Sequence, residues 1–177
     1  HLSAADLAAC YHCGQPTPAA SPWTAIVDGT ARAMCCPGCA AAAQAIADAG
    51  LADYYDNRTA FAAPGKDDAD LAALGAYDDV VEAGDAVFTI EGMRCAACVW
   101  LIERRVAALP GVTEALLNVA TERLRVRWHP AVCKASDILV ALRAIGYAAY
   151  PLDARRHAAH LERERKTLFR RLFVAGL

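Results

Sequence analysis

The chain is poor in aromatic side chains, in charge imbalance and in long apolar runs. Phe, Trp and Tyr make up 7% of its 177 residues, so few large side chains are available to fill a core. The formal net charge is −2. That balance excludes a strongly basic nucleic-acid binder on composition, and no nucleic-acid partner is expected. Hydrophobic residues reach 56%, but 42 of them are alanine. No run supplies the ~20 consecutive apolar residues of a spanning helix. Residues 1–9 lack the basic start and apolar stretch of a secretory signal.

Cysteine, by contrast, is abundant and clustered. The eight cysteines stand at 10, 13, 35, 36, 39, 95, 98 and 133, and seven of them form two tight groups. Disulfide frameworks spread their cysteines through short secreted chains. Tight Cys-x-x-Cys groups without an export signal read as metal or redox sites, and the thiols are expected in a reducing compartment.

Charge and punctuation divide the chain into four blocks. Residues 1–56 are a Cys-rich module. Residues 57–85 hold two basic and seven acidic residues with Pro64, Gly65, Gly75 and Gly84, and read as an acidic linker with at most a short helical turn at 71–74. Residues 86–153 are strongly periodic. Residues 154–177 are basic with an apolar end. The stretch 155–171 reads as a solvated helix face, with anionic lipid headgroups as the alternative contact.

In the first block, Cys10-Tyr11-His12-Cys13-Gly14 reads as a knuckle turn with Gly14 supplying the unusual backbone angle. Asp28-Gly29 between runs 23–27 and 30–34 is a hairpin signal. Cys35-Cys36-Pro37-Gly38-Cys39 then leads into a helical run, 40–49, which Gly50 stops. The knuckle–hairpin–helix order is that of a treble clef, with two ligands from the knuckle and two from the helix start. Four thiolates around Zn(II) would stabilise a unit with so small a core. The expected set is Cys10, Cys13, Cys39 and one of Cys35 and Cys36. The surplus thiol leaves Cu(I) as the alternative ion there. His12 reads as a surface or hydrogen-bonding residue.

In the third block, 86–91 reads as a strand and 97–109 as a helix with Val99, Ile102, Val106 and Leu109 at helical spacing. Strands follow at 112–119 and 123–128, the latter with Leu124, Val126 and Trp128 inward. Ser136 is placed as the cap of a helix running to Ile145, with Ile138, Leu142 and Ile145 inward. A last short strand is expected at 147–150. The order βαββαβ predicts a ferredoxin-like sandwich, and the whole chain an α+β protein.

Gly92-Met93-Arg94-Cys95-Ala96-Ala97-Cys98 falls between the first strand and first helix of that block. A helix N-terminus stabilises thiolate, so Cys95 and Cys98 can converge on one ion. Two soft thiolates suit Cu(I) and leave room for an incoming third ligand. Zinc, cadmium and mercury are the competing ions. Met93 is expected beneath the loop in the core, Arg94 in solvent, Tyr147 close to the loop, and Cys133 as a small buried residue.

This motif on a βαββαβ frame resembles the heavy-metal-associated domain of copper chaperones and heavy-metal P-type ATPases. The first module, with Cys10-x2-Cys13, Cys35-Cys36-Pro37-Gly38-Cys39 and Gly50-Leu51-Ala52-Asp53-Tyr54-Tyr55, resembles the metal-binding module that starts certain bacterial copper ATPases associated with cytochrome oxidase assembly. The continuation Cys98-Val99-Trp100-Leu101-Ile102-Glu103 is similar to theirs. The resemblance implies a Cu(I)-accepting cytosolic tail, a cytosolic copper chaperone as donor, and membrane and ATP-hydrolysing domains of a parent pump at the cytoplasmic face of the bacterial inner membrane. The basic ending looks like the approach to a first membrane helix. No Asp-Lys-Thr-Gly phosphorylation motif or intramembrane Cys-Pro-Cys occurs in the chain, so these residues alone are not expected to be an enzyme. The competing readings are a free-standing metallochaperone or metal sensor, and a thiol–disulfide protein.

Overall fold

The computed structural model describes residues 7–18, 20–64, 71–79, 81 and 84–152. The basic stretch 154–177 lies outside the described residues. None of the helices among them is long and apolar enough to cross a membrane.

The first module begins with two short strands, β1 (Leu7–Ala9) and β2 (Pro16–Pro18), paired antiparallel around the cysteine knuckle. The knuckle closes through Cys10 N–H to Gln15 O at 2.8 Å and Gly14 N–H to Cys10 O at 2.9 Å. A second hairpin joins β3 (Thr24–Val27) to β4 (Thr30–Ala33). Its turn residues Asp28 and Gly29 have φ of 49° and 72°, the two left-handed angles that a tight hairpin turn needs.

Helix α1 (Pro37–Asp48) starts three residues earlier than the alanine run alone suggests. Cys36 is its N-cap, with an extended backbone and a sulfur that accepts the Cys39 N–H at 3.4 Å. Pro37 then fits the first helical position, where no N–H partner is needed. Alanine sustains the helix, and Gly50 at φ 69° ends it. A five-residue helix, α2 (Asp53–Asn57), follows and buries Tyr54 and Tyr55.

The second module is β5 (Asp85–Glu91), α3 (Ala96–Ala107), β6 (Val112–Asn118), β7 (Arg123–Trp128), α4 (Ala135–Ala144) and β8 (Ala148–Pro151). The strands form one antiparallel sheet in the order β6-β7-β5-β8, the ferredoxin-like arrangement. Phe88 sits opposite Leu124, and both are fully buried. Alternation along β7 turns Leu124, Val126 and Trp128 inward and leaves Arg123, Arg125 and Arg127 exposed. Helices α3 and α4 cover the apolar face with Leu101, Ile102, Val106, Ile138 and Leu142.

Two expectations need correction. Ser136 does not cap α4: Lys134 occupies the cap position, and its backbone N–H donates to the Asp137 carboxylate at 2.9 Å. Ser136 lies inside the first turn and holds Asp78 instead, through its N–H and its hydroxyl, both at 2.8 Å. Asp78 belongs to a 3₁₀ helix, Leu71–Asp79, nine residues long. The acidic block thus carries more structure than a short turn, anchored on the second module.

The two modules touch along α2 and α3 and along α1 and α4. Gly146 lies at the second contact. A Cβ built there would lie 3.5 Å from Ala42 Cβ and 3.6 Å from His12 Nε2.

Candidate metal centres

The sulfurs of Cys10, Cys13, Cys35 and Cys39 all lie within 4.8 Å of one another. Cys13 and Cys35 are 3.5 Å apart, and Cys35 and Cys39 3.7 Å. A Zn–S bond of about 2.3 Å places the sulfurs of a tetrahedral site about 3.8 Å apart. Two separations match that spacing and none exceeds it by more than about 1 Å, so small shifts bring the four thiols onto one tetrahedral ion. Two come from the knuckle, one from the link after β4 and one from the first turn of α1. Cys36 is not part of this group, because its sulfur is engaged at the helix cap. Cys35 is thus the one of the two adjacent cysteines that the fold turns toward the other three.

The environment prepares these thiols unequally. Burial works to raise Cys10, but the backbone N–H groups of Cys13, Cys35 and His12 outweigh it and bring the thiol down to about 7. Burial, with the Cys13 hydrogen bond, pushes Cys35 up to about 12. His12 is 1% exposed. Burial and the Arg58 charge hold its imidazole down at about 4 and keep it neutral. Its Nδ1 is 2.9 Å from the Tyr55 hydroxyl. It is a hydrogen-bonding residue in the interior and does not belong to the four-sulfur group.

Gly14 closes the knuckle at φ 75°, and a Cβ there would come within 2.6 Å of the Phe61 ring. Gly14→Ala is expected to lower stability by about 1–3 kcal/mol, read as a lower urea midpoint with an unchanged slope. An unaltered midpoint would show that the turn tolerates a side chain.

The second group stands at the start of α3. Cys95 is the N-cap with extended backbone angles, and Cys98 lies in the first turn. Their sulfurs are 3.5 Å apart. Cys98 is fully buried, whereas Cys95 is partly exposed. With metal–sulfur bonds near 2.3 Å, that separation gives an S–metal–S angle of about 100°. Such a pair is pinched rather than linear, and Cys95 keeps part of its surface open to solvent. Burial opposes ionisation of Cys95. The Thr59 N–H, the Cys98 thiol and N–H, and the Ala60 N–H overcome that and lower it below the ordinary thiol value.

Met93 is partly buried against the core and Arg94 is exposed. Tyr147 is 4% exposed, and its hydroxyl makes no close hydrogen bond among the described residues. Burial and the neighbouring Tyr54 and Cys98 push its ionisation up. Cys133 is buried at the start of α4, and its thiol is raised by burial and by Asp137. The sequence reading did not find the tyrosine and arginine cluster between the two groups. Tyr54 places its hydroxyl 4.0 Å from Cys98 Sγ. Tyr54 and Tyr55 meet edge to face, their ring centroids 5.2 Å apart. Arg58 donates to the carbonyls of His12 at 2.9 Å and Tyr11 at 2.5 Å. The adjacent tyrosines in an aromatic-poor chain were the available signal.

Residues 9–84 match the family described as "Putative metal-binding domain of cation transport ATPase", and residues 87–148 match the "Heavy-metal-associated domain". The probable copper-transporting ATPase PacS of Synechococcus elongatus is 36% identical over 96 residues, covering 50% of this chain and 13% of that protein. The copper-exporting P-type ATPase of Bacillus subtilis is 37% identical over 94 residues, covering 52% of this chain and 12% of that protein. The chain thus spans about an eighth of the length of these relatives. A solved N-terminal domain of a potential copper-translocating P-type ATPase from Bacillus subtilis, in its Cu(I)-loaded state, is 37% identical, with a TM-score of 0.38, over 40% of this chain and 88% of that one. Residues 9–84 and 87–148 thus match models of two metal-binding families, the first described for cation transport ATPases and the second as heavy-metal-associated, and these two relatives are named as copper-transporting and copper-exporting ATPases.

Proposed function

We propose that Cys95 and Cys98 receive Cu(I) as cargo, and that Cys10, Cys13, Cys35 and Cys39 hold Zn(II) as a structural ion. The chain acts as the metal-accepting cytosolic tail of a copper-translocating P-type ATPase. The observation that carries this reading is the pinched Cys95/Cys98 pair at a helix start, one sulfur buried and one within reach of solvent. A soft monovalent ion satisfied by two or three thiolates can move through such a site by ligand exchange. A closed four-thiolate site cannot release its ion as readily.

Transfer then runs as follows. A chaperone presents Cu(I) on its own thiolates. The Cys95 thiolate adds as a third ligand, its proton having gone to solvent. One donor thiolate leaves, Cys98 gives up its proton to solvent and takes its place, and the last donor thiolate departs. Copper stays Cu(I) throughout. The names of the relatives support copper as the cargo of proteins built this way.

The test is anaerobic titration of the reduced, zinc-loaded chain with Cu(I) held by a competing chelator. One tightly bound Cu(I) per chain with zinc retained is expected. No uptake would overturn the cargo assignment. Displacement of zinc, with two or more Cu(I) bound, would make the first module a copper site.

A further inference from the structure

We propose that the first module roofs the second metal loop: Tyr54 covers Cys98, residues 58–63 run along the loop with two backbone amides on Cys95, the partly exposed face of Cys95 is where an incoming ligand enters, and Arg58 positions the roof. This deepens the cargo reading and rests on it only for the identity of the ion; the roof itself stands on geometry.

Four contacts build it. The Tyr54 ring is fully buried, and its hydroxyl lies 4.0 Å from Cys98 Sγ. The turn after α2 brings the backbone N–H groups of Thr59 and Ala60 to Cys95 Sγ. Ala62 N–H donates to His12 O at 3.3 Å, which ties the same segment to the knuckle. Ala63 then lies against Gly92, where an added Cβ would be 3.5 Å from its own. Segment 58–63 is thus held between the knuckle of one module and the metal loop of the other.

Arg58 is the brace. Its guanidinium bonds two knuckle carbonyls. It also lies over the Tyr55 ring at 4.8 Å and the Phe61 ring at 4.9 Å. Its planar head can make all of these contacts at once, which a lysine could not. It touches neither Cys95 nor Cys98, so any effect on them passes through the segment it holds.

The roof limits what the pair can bind and how. Tyr54 and the backbone amides offer no sulfur, imidazole or carboxylate to an ion. With Met93 packed against the core, an incoming donor supplies the third ligand. A thiol-bearing donor meets the partly exposed Cys95 first and Cys98 second, and Tyr54, far from the motif in sequence, is the side chain that holds Cys98 back.

The test uses the whole chain, zinc-loaded and copper-free, treated with iodoacetamide and read by peptide mass spectrometry. Alkylation rate follows thiolate character and access. In the native chain Cys95 is expected to react at least about tenfold faster than Cys98. Arg58→Ala is expected to raise the Cys98 rate about tenfold while zinc content and far-UV circular dichroism stay unchanged. Ala42→Glu, which forces a carboxylate against Gly146 across the other module contact, is expected to raise it as well. Unchanged Cys98 rates in both variants would overturn the proposal. A measurement on the native chain stands apart from any folding defect in the variants: the Thr59 and Ala60 amide resonances are expected to shift when Cys95 is alkylated. If they stay in place, the roof is absent in solution. A chain that passes these tests but takes up no Cu(I) keeps the roof and loses the cargo assignment.

Discussion

Replacing Cys95 and Cys98 together by serine is expected to weaken Cu(I) binding by at least about a thousandfold, a loss of about 4 kcal/mol. The reason lies in the donor set. Cu(I) selects soft sulfur over hard oxygen. Among the described residues, the fold brings backbone amides and a tyrosine hydroxyl to this pair: Thr59 and Ala60 beside Cys95, Tyr54 beside Cys98. Met93 is the nearest remaining sulfur in sequence, and it packs against the core. The single substitutions are expected to differ. Cys95→Ser removes the exposed entry ligand and should slow uptake most. Cys98→Ser keeps an entry point but leaves one thiolate to hold the ion, so it should mostly speed release. Stopped-flow exchange with a Cu(I) chelator reads both rates. Equal effects of the two single substitutions on uptake would contradict an ordered entry, and undiminished affinity in the double variant would refute the site.

The second large effect is expected on metal removal. Binding of structural zinc by small thiolate domains is worth roughly 10–16 kcal/mol near neutral pH. The first module is built from two short hairpins and two helices, and its large buried side chains are few: Met34, Ile46, Tyr54 and Tyr55 lead them. Such a core does not offset the entropy of ordering the chain without help. Dialysis against a strong chelator under reducing conditions is therefore expected to unfold residues 7–62, with their amide resonances collapsing toward random-coil positions. Residues 84–152 have their own sheet and core, and their strand resonances should persist. A metal-free chain in which both sets remain dispersed would show that the four thiols are dispensable for folding. Cys36→Ser is the control. Its sulfur caps α1 and stands outside the four-sulfur group, so the variant should retain zinc, and serine, itself a favoured N-cap, should leave stability within about 0.5 kcal/mol.

The second module was readable in sequence because its periods are clean. Arg and apolar residues alternate through Arg123–Trp128, and helical spacing places Ile102, Val106, Ile138 and Leu142 inward. In the first module, the dipeptide Asp28-Gly29 marked the β3–β4 hairpin equally well. Other features were hidden for identifiable reasons. Strand β2 reads Pro-Thr-Pro, a composition that argues against a strand, and pairs only as half of a two-stranded ribbon. The choice between Cys35 and Cys36 depends on which sulfur the helix cap takes, and no spacing rule decides that. Ser136 looked like a cap because its partner Asp78 stands 58 residues away. Tyr54, Arg58 and Cys98 meet only once both modules are packed, since no local pattern links residues more than 40 positions apart.

The position of residues 58–63 bears on any dissection of the chain. Composition places them in the linker, yet they lie between knuckle and metal loop. A fragment that begins after residue 64 would keep the whole sheet, both of its helices and both sulfurs of the loop. It would lack Tyr54, Thr59, Ala60 and the arginine that holds them. Cys98 would then face solvent that it does not meet in the longer chain, and Cys95 would lose two amide neighbours. Affinities and exchange rates measured on such a fragment would describe a more open and more promiscuous pair of thiols. The selectivity of the loop is in this sense a property shared between two neighbours in the chain, written partly in residues that no metal ever touches.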